Sequence, residues 1–211
     1  MASTVLFVIM TIIAGVLLLL SSLTSTIGAI DAFGSSFYNT DSKIRAGHQY
    51  LTIAAALGWS ALVVLIVIMI VSAVAGGFST TEVSDALLNS TSPSKSDLIS
   101  AYKGEKALSA GHTTQIIVLI VLILVALVSL VVGILAVLAA VNLGSVTTKD
   151  SKSSSAYTQA IIAAVAGVGG IGIMIVSIIS YISIRSARKK QLEKTNEFIA
   201  ETEAKLGVTK K

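Results

Sequence analysis

Four stretches of the chain contain no charged residue at all: 2–30, 49–81, 113–148 and 153–184. Each exceeds the roughly 20 residues a helix needs to cross a hydrocarbon core about 30 Å thick. In lipid the backbone must satisfy its own hydrogen bonds. A closed barrel would show alternating segments about half as long, so these blocks predict helices. Their most apolar parts are 5–23, 51–75, 115–141 and 159–181, and the only proline, Pro93, lies outside all four. No span therefore carries a proline kink. The pattern predicts an all-α membrane protein, a four-transmembrane-helix bundle with a cytosolic C-terminal helix extending the fourth span.

The organisation that follows has a first span over 1–30, an outer loop over 31–48 and a second span over 49–76. A cytosolic loop with short amphipathic helices occupies 77–112, followed by a third span over 113–146. A tight turn over 147–156 leads to the fourth span over 157–184 and a basic, charged C-terminal helix and tail over 185–211. The first four residues hold no Lys or Arg, and the apolar run is long for a signal peptide, so a retained first helix is expected.

Small side chains recur on one face of each span at spacings of three and four, where helices can approach closely in lipid. In the third span they are Ala126, Ser129, Gly133, Ala136 and Ala140, and in the fourth Ala160, Ala163, Gly167, Gly170 and Ser177. The second contributes Ala54, Gly58, Ala61, Ser72 and Ala75, and the first Thr11, Gly15, Ser22 and Ser25. Four such faces turned inward predict a left-handed bundle. The glycine run from Gly167 to Gly172 lacks the following Lys and Ser/Thr of a phosphate loop, so it reads as close helix contact.

Charge sets the expected orientation. An even number of spans puts both termini on one side with the 77–112 loop. That side holds Lys95, Lys103, Lys106 and the eight basic residues of 185–211, whereas the other holds Lys43, Arg45, Lys149 and Lys152. Both termini are therefore predicted to be cytosolic. Asn89-Ser90-Thr91 is a formal glycosylation sequon expected on the cytosolic side and so unmodified; a glycan there would invert the orientation.

Composition agrees and narrows the chemistry. Hydrophobic residues make up 54% of the 211 and charged residues 12%, half the roughly 25% of an ordinary soluble domain. Mean hydropathy is +0.89. The absence of cysteine excludes disulfides, thiolate metal sites and a cysteine nucleophile. No Asp, Glu, Lys, Arg or His lies in a predicted membrane core, which disfavours a pump or ion-coupled carrier. His48 and His112 fall on opposite sides of the membrane and cannot share a metal. No catalytic set, metal site or cofactor site is expected. Lys and Arg are not spread over a face with aromatics between them, so no nucleic-acid partner is expected either.

The polar segments carry the candidate contacts. Thr40 or Asp41 can cap the helix entering through Lys43 and Arg45, with Tyr50 and Trp59 as interfacial anchors. In the cytosolic loop Ser79 and Glu82 have capping-box spacing, followed by Val83, Ala86 and Leu87 on one face. After Pro93, Leu98, Ala101, Tyr102 and Leu108 predict a second short amphipathic helix ending at Gly111. Both are expected to lie on the membrane surface or dock a partner. Arg185, Arg188, Lys189 and Lys190 suit anionic head groups. Leu192, Ile199 and Leu206 recur at seven with Phe198 beside them, a thin stripe for a solvated or partner-docked helix.

The stretch from Lys43 to Trp59, KIRAGHQYLTIAAALGW, resembles the entry into a membrane span in small virion membrane proteins of large icosahedral double-stranded DNA viruses. That resemblance covers under a tenth of the chain. It implies a structural role: a minor capsid component in a viral inner membrane, holding membrane to capsid through its loops and tail. The expected function is a non-enzymatic membrane scaffold whose partners are the bilayer and other proteins of the same assembly, and an oligomer is compatible with it. The alternatives are a subunit of a passive channel or transporter and an accessory subunit of a larger membrane complex.

Overall fold

A computed structural model describes residues 2–74, 83–90 and 93–207. The described residues are helical, with no strand: α1 (Ala2–Phe33), α2 (Ser42–Val74), α3 (Asp85–Leu88), α4 (Lys95–Gly144) and α5 (Ser151–Leu206). Four of these, α1, α2, α4 and α5, are long and apolar enough to cross a membrane. The expected Ser79/Glu82 capping box, Ala75, Thr91 of the sequon and the Ala86 side chain lie outside the described residues.

Helix ends follow local chemistry. Asp41 caps α2, accepting the Lys43 amide at 2.8 Å. Ser94 and Asp97 form a reciprocal box at the start of α4: the Ser94 amide donates to Asp97 at 2.8 Å and the Asp97 amide to Ser94 Oγ at 3.3 Å. Asp150 caps α5, accepting the Ser153 amide at 2.7 Å. Gly207 closes α5 in the left-handed conformation, φ 63°, which a residue without Cβ adopts freely.

Helix bounds differ from those expected at α1, α2, α4 and the start of α5. The segment after Pro93 does not end at Gly111 but runs on as the 50-residue α4. Helix α5 has 56 residues, about 84 Å of contour at 1.5 Å per residue, against a hydrocarbon core of about 30 Å. Helix α1 continues past Ile30 to Phe33 and α2 begins at Ser42, so the non-helical part of the first connection is shorter than the expected 31–48 loop.

The chain divides into two compact units, Val5–Val67 with Val121–Ile178, and Met1–Thr4 with Ile68–Ile120 and Ile179–Lys211. In the first, here the apolar unit, helices meet at small residues. A Cβ on Gly167 would stand 2.9 Å from Gly133 Cα, so the backbones of α4 and α5 touch. Gly58 of α2 faces Ser22 of α1, and a Cβ on Gly47 of α2 would lie 2.6 Å from Leu143 Cγ of α4. One buried cluster draws on all four helices: Ala29, Ala32, Ile44, Leu51, Ala139, Leu143, Val146, Ala156 and Ala160. Many large apolar side chains face outward, as with Val63 at 58%, Val141 at 69% and Val165 at 69% exposure. That inside-out distribution suits a lipid solvent, where close packing rather than apolar burial joins helices.

The second, here the tail unit, packs large side chains. Leu98, Ala101, Phe198 and Ile199 are buried together, with Leu87, Leu88, Tyr102 and Leu206 packed against them.

Candidate interaction surfaces

The small-residue faces are largely occupied within the chain. Ser129, Gly133, Ala136, Ala160, Ala163, Gly167 and Gly170 are buried, while Ala126 and Ala140 are half-buried. Ala140 also lines a groove of about 460 Å³ between α4 and α5, with Gly144, Tyr157 and Ala164. Hydroxyls on these faces bond across helices: Ser21 donates to the Ala163 carbonyl at 2.9 Å, and Thr11 pairs with Ser177. Others, such as Ser22 and Ser129, return to carbonyls one turn back in their own helix, which hides their polarity from an apolar surround.

At one end of the apolar unit the α1–α2 connection is tied to the α4–α5 turn by carboxylates. Asp150 accepts Ser35 Oγ at 2.7 Å, the Ser36 amide at 3.0 Å and Ser36 Oγ at 3.0 Å on one oxygen. Its other oxygen accepts the Ser153 amide at 2.7 Å and Ser153 Oγ at 2.6 Å. Burial opposes ionisation of Asp150, yet the bonds from Ser153, Ser35 and Ser36 outweigh it and hold the carboxyl well below its usual range. Asp31 behaves alike: partial burial is outweighed by hydrogen bonds from Ser155 and Lys152 and by the Lys152 charge. Asp41 is lowered chiefly by Lys149, its ion-pair partner. His48 Nδ1 lies 2.9 Å from the Ala29 carbonyl, its ring against Phe33 and Tyr38. Trp59 Nε1 donates to Thr26 at 3.2 Å.

The tail unit places the expected surface residues in two ways. Lys189 and Lys190 are exposed, and Arg185 and Leu192 are half-buried. Arg188 is 1% exposed, against the expectation of a head-group contact. Its guanidinium occupies the space that a side chain on Gly111 would need. Gly111 thus stays inside a helix because it makes room for an arginine, rather than serving as a helix stop. Phe198 and Ile199, expected to face solvent or a partner, are buried against Leu98 and Ala101, and Leu206 packs beside them. The amphipathic face after Pro93 and the stripe of α5 are each other's partner. Tyr102 OH donates to Glu203, which raises the phenol's pKa. Gln191 Nε2 donates to the Val83 carbonyl at 2.8 Å.

The outward side of the last turns of α5 carries charge: Lys190, Lys194, Glu197 and Glu201 are all exposed. At spacings of four, three and four they share one face. Among the described residues no group of three or more His, Cys, Asp or Glu is placed to hold a metal ion. No family model matches the chain, and no curated protein or solved structure shows significant similarity to it.

Local patterns did not reveal Asp31 as a tie between α1 and α5, Asp150 as a tie to the α1–α2 connection, or the enclosure of Arg188. Asp150 had a legible signal, since an Asp three residues before Ser153 at the start of a helix is an N-cap pattern. The Ser35 and Ser36 partners had none.

Proposed function

We propose that the protein is a non-enzymatic structural membrane protein, a four-helix bundle that anchors a larger assembly to a bilayer. Both termini are cytosolic, and the assembly is the inner-membrane and minor-capsid layer of a virion. The observation that carries this reading is the division of labour along α5. Its apolar stripe is consumed by Leu98 and Ala101, so a charged face is what it offers to a neighbouring protein. The outward valines, isoleucines and leucines of the apolar unit support lipid contact. The excess of Lys and Arg on the side of 77–112 and 185–211 supports the orientation. The likeness of residues 43–59 to virion membrane proteins supports the viral setting.

The passive-pore alternative draws less support, because the small-residue faces it would use are filled by other helices of the same chain.

The test is charge reversal on the outward face of α5, Lys190→Glu, Lys194→Glu, Glu197→Lys and Glu201→Lys together. Membrane insertion and thermal stability should persist while capsid proteins no longer co-purify in mild detergent. Unchanged co-purification would sink the reading. A glycan found on Asn89 after synthesis in microsomes would overturn the orientation.

A further inference from the structure

Four basic side chains gather in the tail unit where the uncharged stretch 153–184 gives way to charge. Arg185, Arg188 and Lys189 stand at spacings of three and four on α5, which puts them on one face. His112 of α4 lies beside them: burial first, and then the charges of Arg185, Arg188 and Lys189, lower its pKa. Gly111, next to His112, is in contact with the Arg188 guanidinium, which fixes α4 and α5 against each other at this level. Arg188 is buried, Arg185 and His112 are half-buried, and Lys189 is exposed.

Two groups here have unspent hydrogen-bonding capacity. Among the described residues no carboxylate pairs with Arg185, and His112 Nδ1 is buried without a partner. Lys189 reaches Glu193 at 3.7 Å, but both side chains are more than half exposed, so that pair is weak and a stronger anion can displace it. The like charges of Arg185 and Lys189 on one face favour a multivalent acceptor between them, and phosphate oxygens match guanidinium and ammonium donors.

We propose that Arg185 and Lys189, beside the buried Arg188 and the half-buried His112, hold the phosphate of an anionic membrane lipid. The position selects a lipid over free phosphate. Arg185 is the first charged residue after the fourth uncharged stretch, the level at which head groups begin. Ile182, three residues earlier on the same side of α5, is 49% exposed and offers an apolar surface to the acyl chains below the phosphate.

The inference rests on the apolar helices lying in lipid but not on the scaffold role or the viral setting. The experiment uses the full chain in mild detergent, titrated with dioleoyl phosphatidylglycerol, dioleoyl phosphatidylcholine or inorganic phosphate, with bound lipid counted by native mass spectrometry. Phosphatidylglycerol should be retained in preference to phosphatidylcholine, and inorganic phosphate at equal concentration should not displace it. Arg185→Gln and Lys189→Gln should each cut that preference about fivefold. His112→Gln should weaken it less, and Lys95→Gln with Lys103→Gln should leave it unchanged. Equal retention of both lipids by the unaltered chain would overturn the head-group site alone, with no variant needed. Displacement by inorganic phosphate would overturn the lipid assignment, and failure to retain either lipid would count against the membrane spans as well.

Discussion

The apolar unit and the tail unit share two helices, α4 and α5, yet they are held together by opposite means. In the apolar unit the contacts are made by what side chains lack: Gly133 on Gly167, Gly58 on Ser22, Gly47 on Leu143. In the tail unit they are made by bulk, with Phe198, Ile199 and Leu98 buried together and Arg188 enclosed. The same polypeptide geometry therefore obeys two packing rules according to its solvent. Where lipid surrounds a helix, apolar burial gains nothing and close approach decides. Where water surrounds it, burying a phenylalanine is the stronger term.

The contrast can be broken by exchanging the rules. Phe198→Ala should cost the tail unit about 3 kcal/mol, the usual range for emptying a buried aromatic site. Hydrogen exchange should show lost protection around 195–205, with the apolar unit unchanged. Protection lost equally in both units would erase the distinction. Gly167→Leu should cost about 2 kcal/mol by overpacking against Gly133 and should lower the unfolding temperature in detergent. Gly172→Leu is its partner experiment: a Cβ there would meet no neighbouring helix within 4 Å, so a shift below about 0.5 kcal/mol is expected. If both leucines behave alike, close approach is not what joins α4 to α5.

Asp150→Ala should cost about 1 kcal/mol, the scale of a lost N-cap. Acid should imitate it. Because the folded-state pKa of Asp150 lies below its ordinary value near 3.8, its contribution is fully present at neutral pH. It begins to fall as pH drops through about 4 and is gone once pH passes below the folded pKa. A thermal-stability titration should show the unaltered protein losing this increment in acid and Asp150→Ala lacking that part of the loss. Smallest of all, Lys189→Ala should change stability by no more than a few tenths of a kcal/mol, since its pair with Glu193 is long and exposed.

Local chemistry decided much of this molecule from the sequence. Uncharged length alone predicted four helices able to cross a membrane, because in lipid no other use of the backbone is available to such stretches. The cap at Asp41 and the run of α5 to Gly207 follow from a few neighbouring residues each. What the sequence withheld were partners far apart along the chain. Tyr102 meets Glu203 across 101 positions and Ser35 meets Asp150 across 115. A stripe such as Phe198 and Ile199 shows that something must cover it, but the cover is chosen by which helix stands opposite. Likewise Gly111 reads locally as a stop, and only the guanidinium lying against it makes it a place where two helices close on each other. Periodicity and capping are fixed within a turn or two of helix, whereas packing depends on contacts that exist only after the chain has folded back on itself.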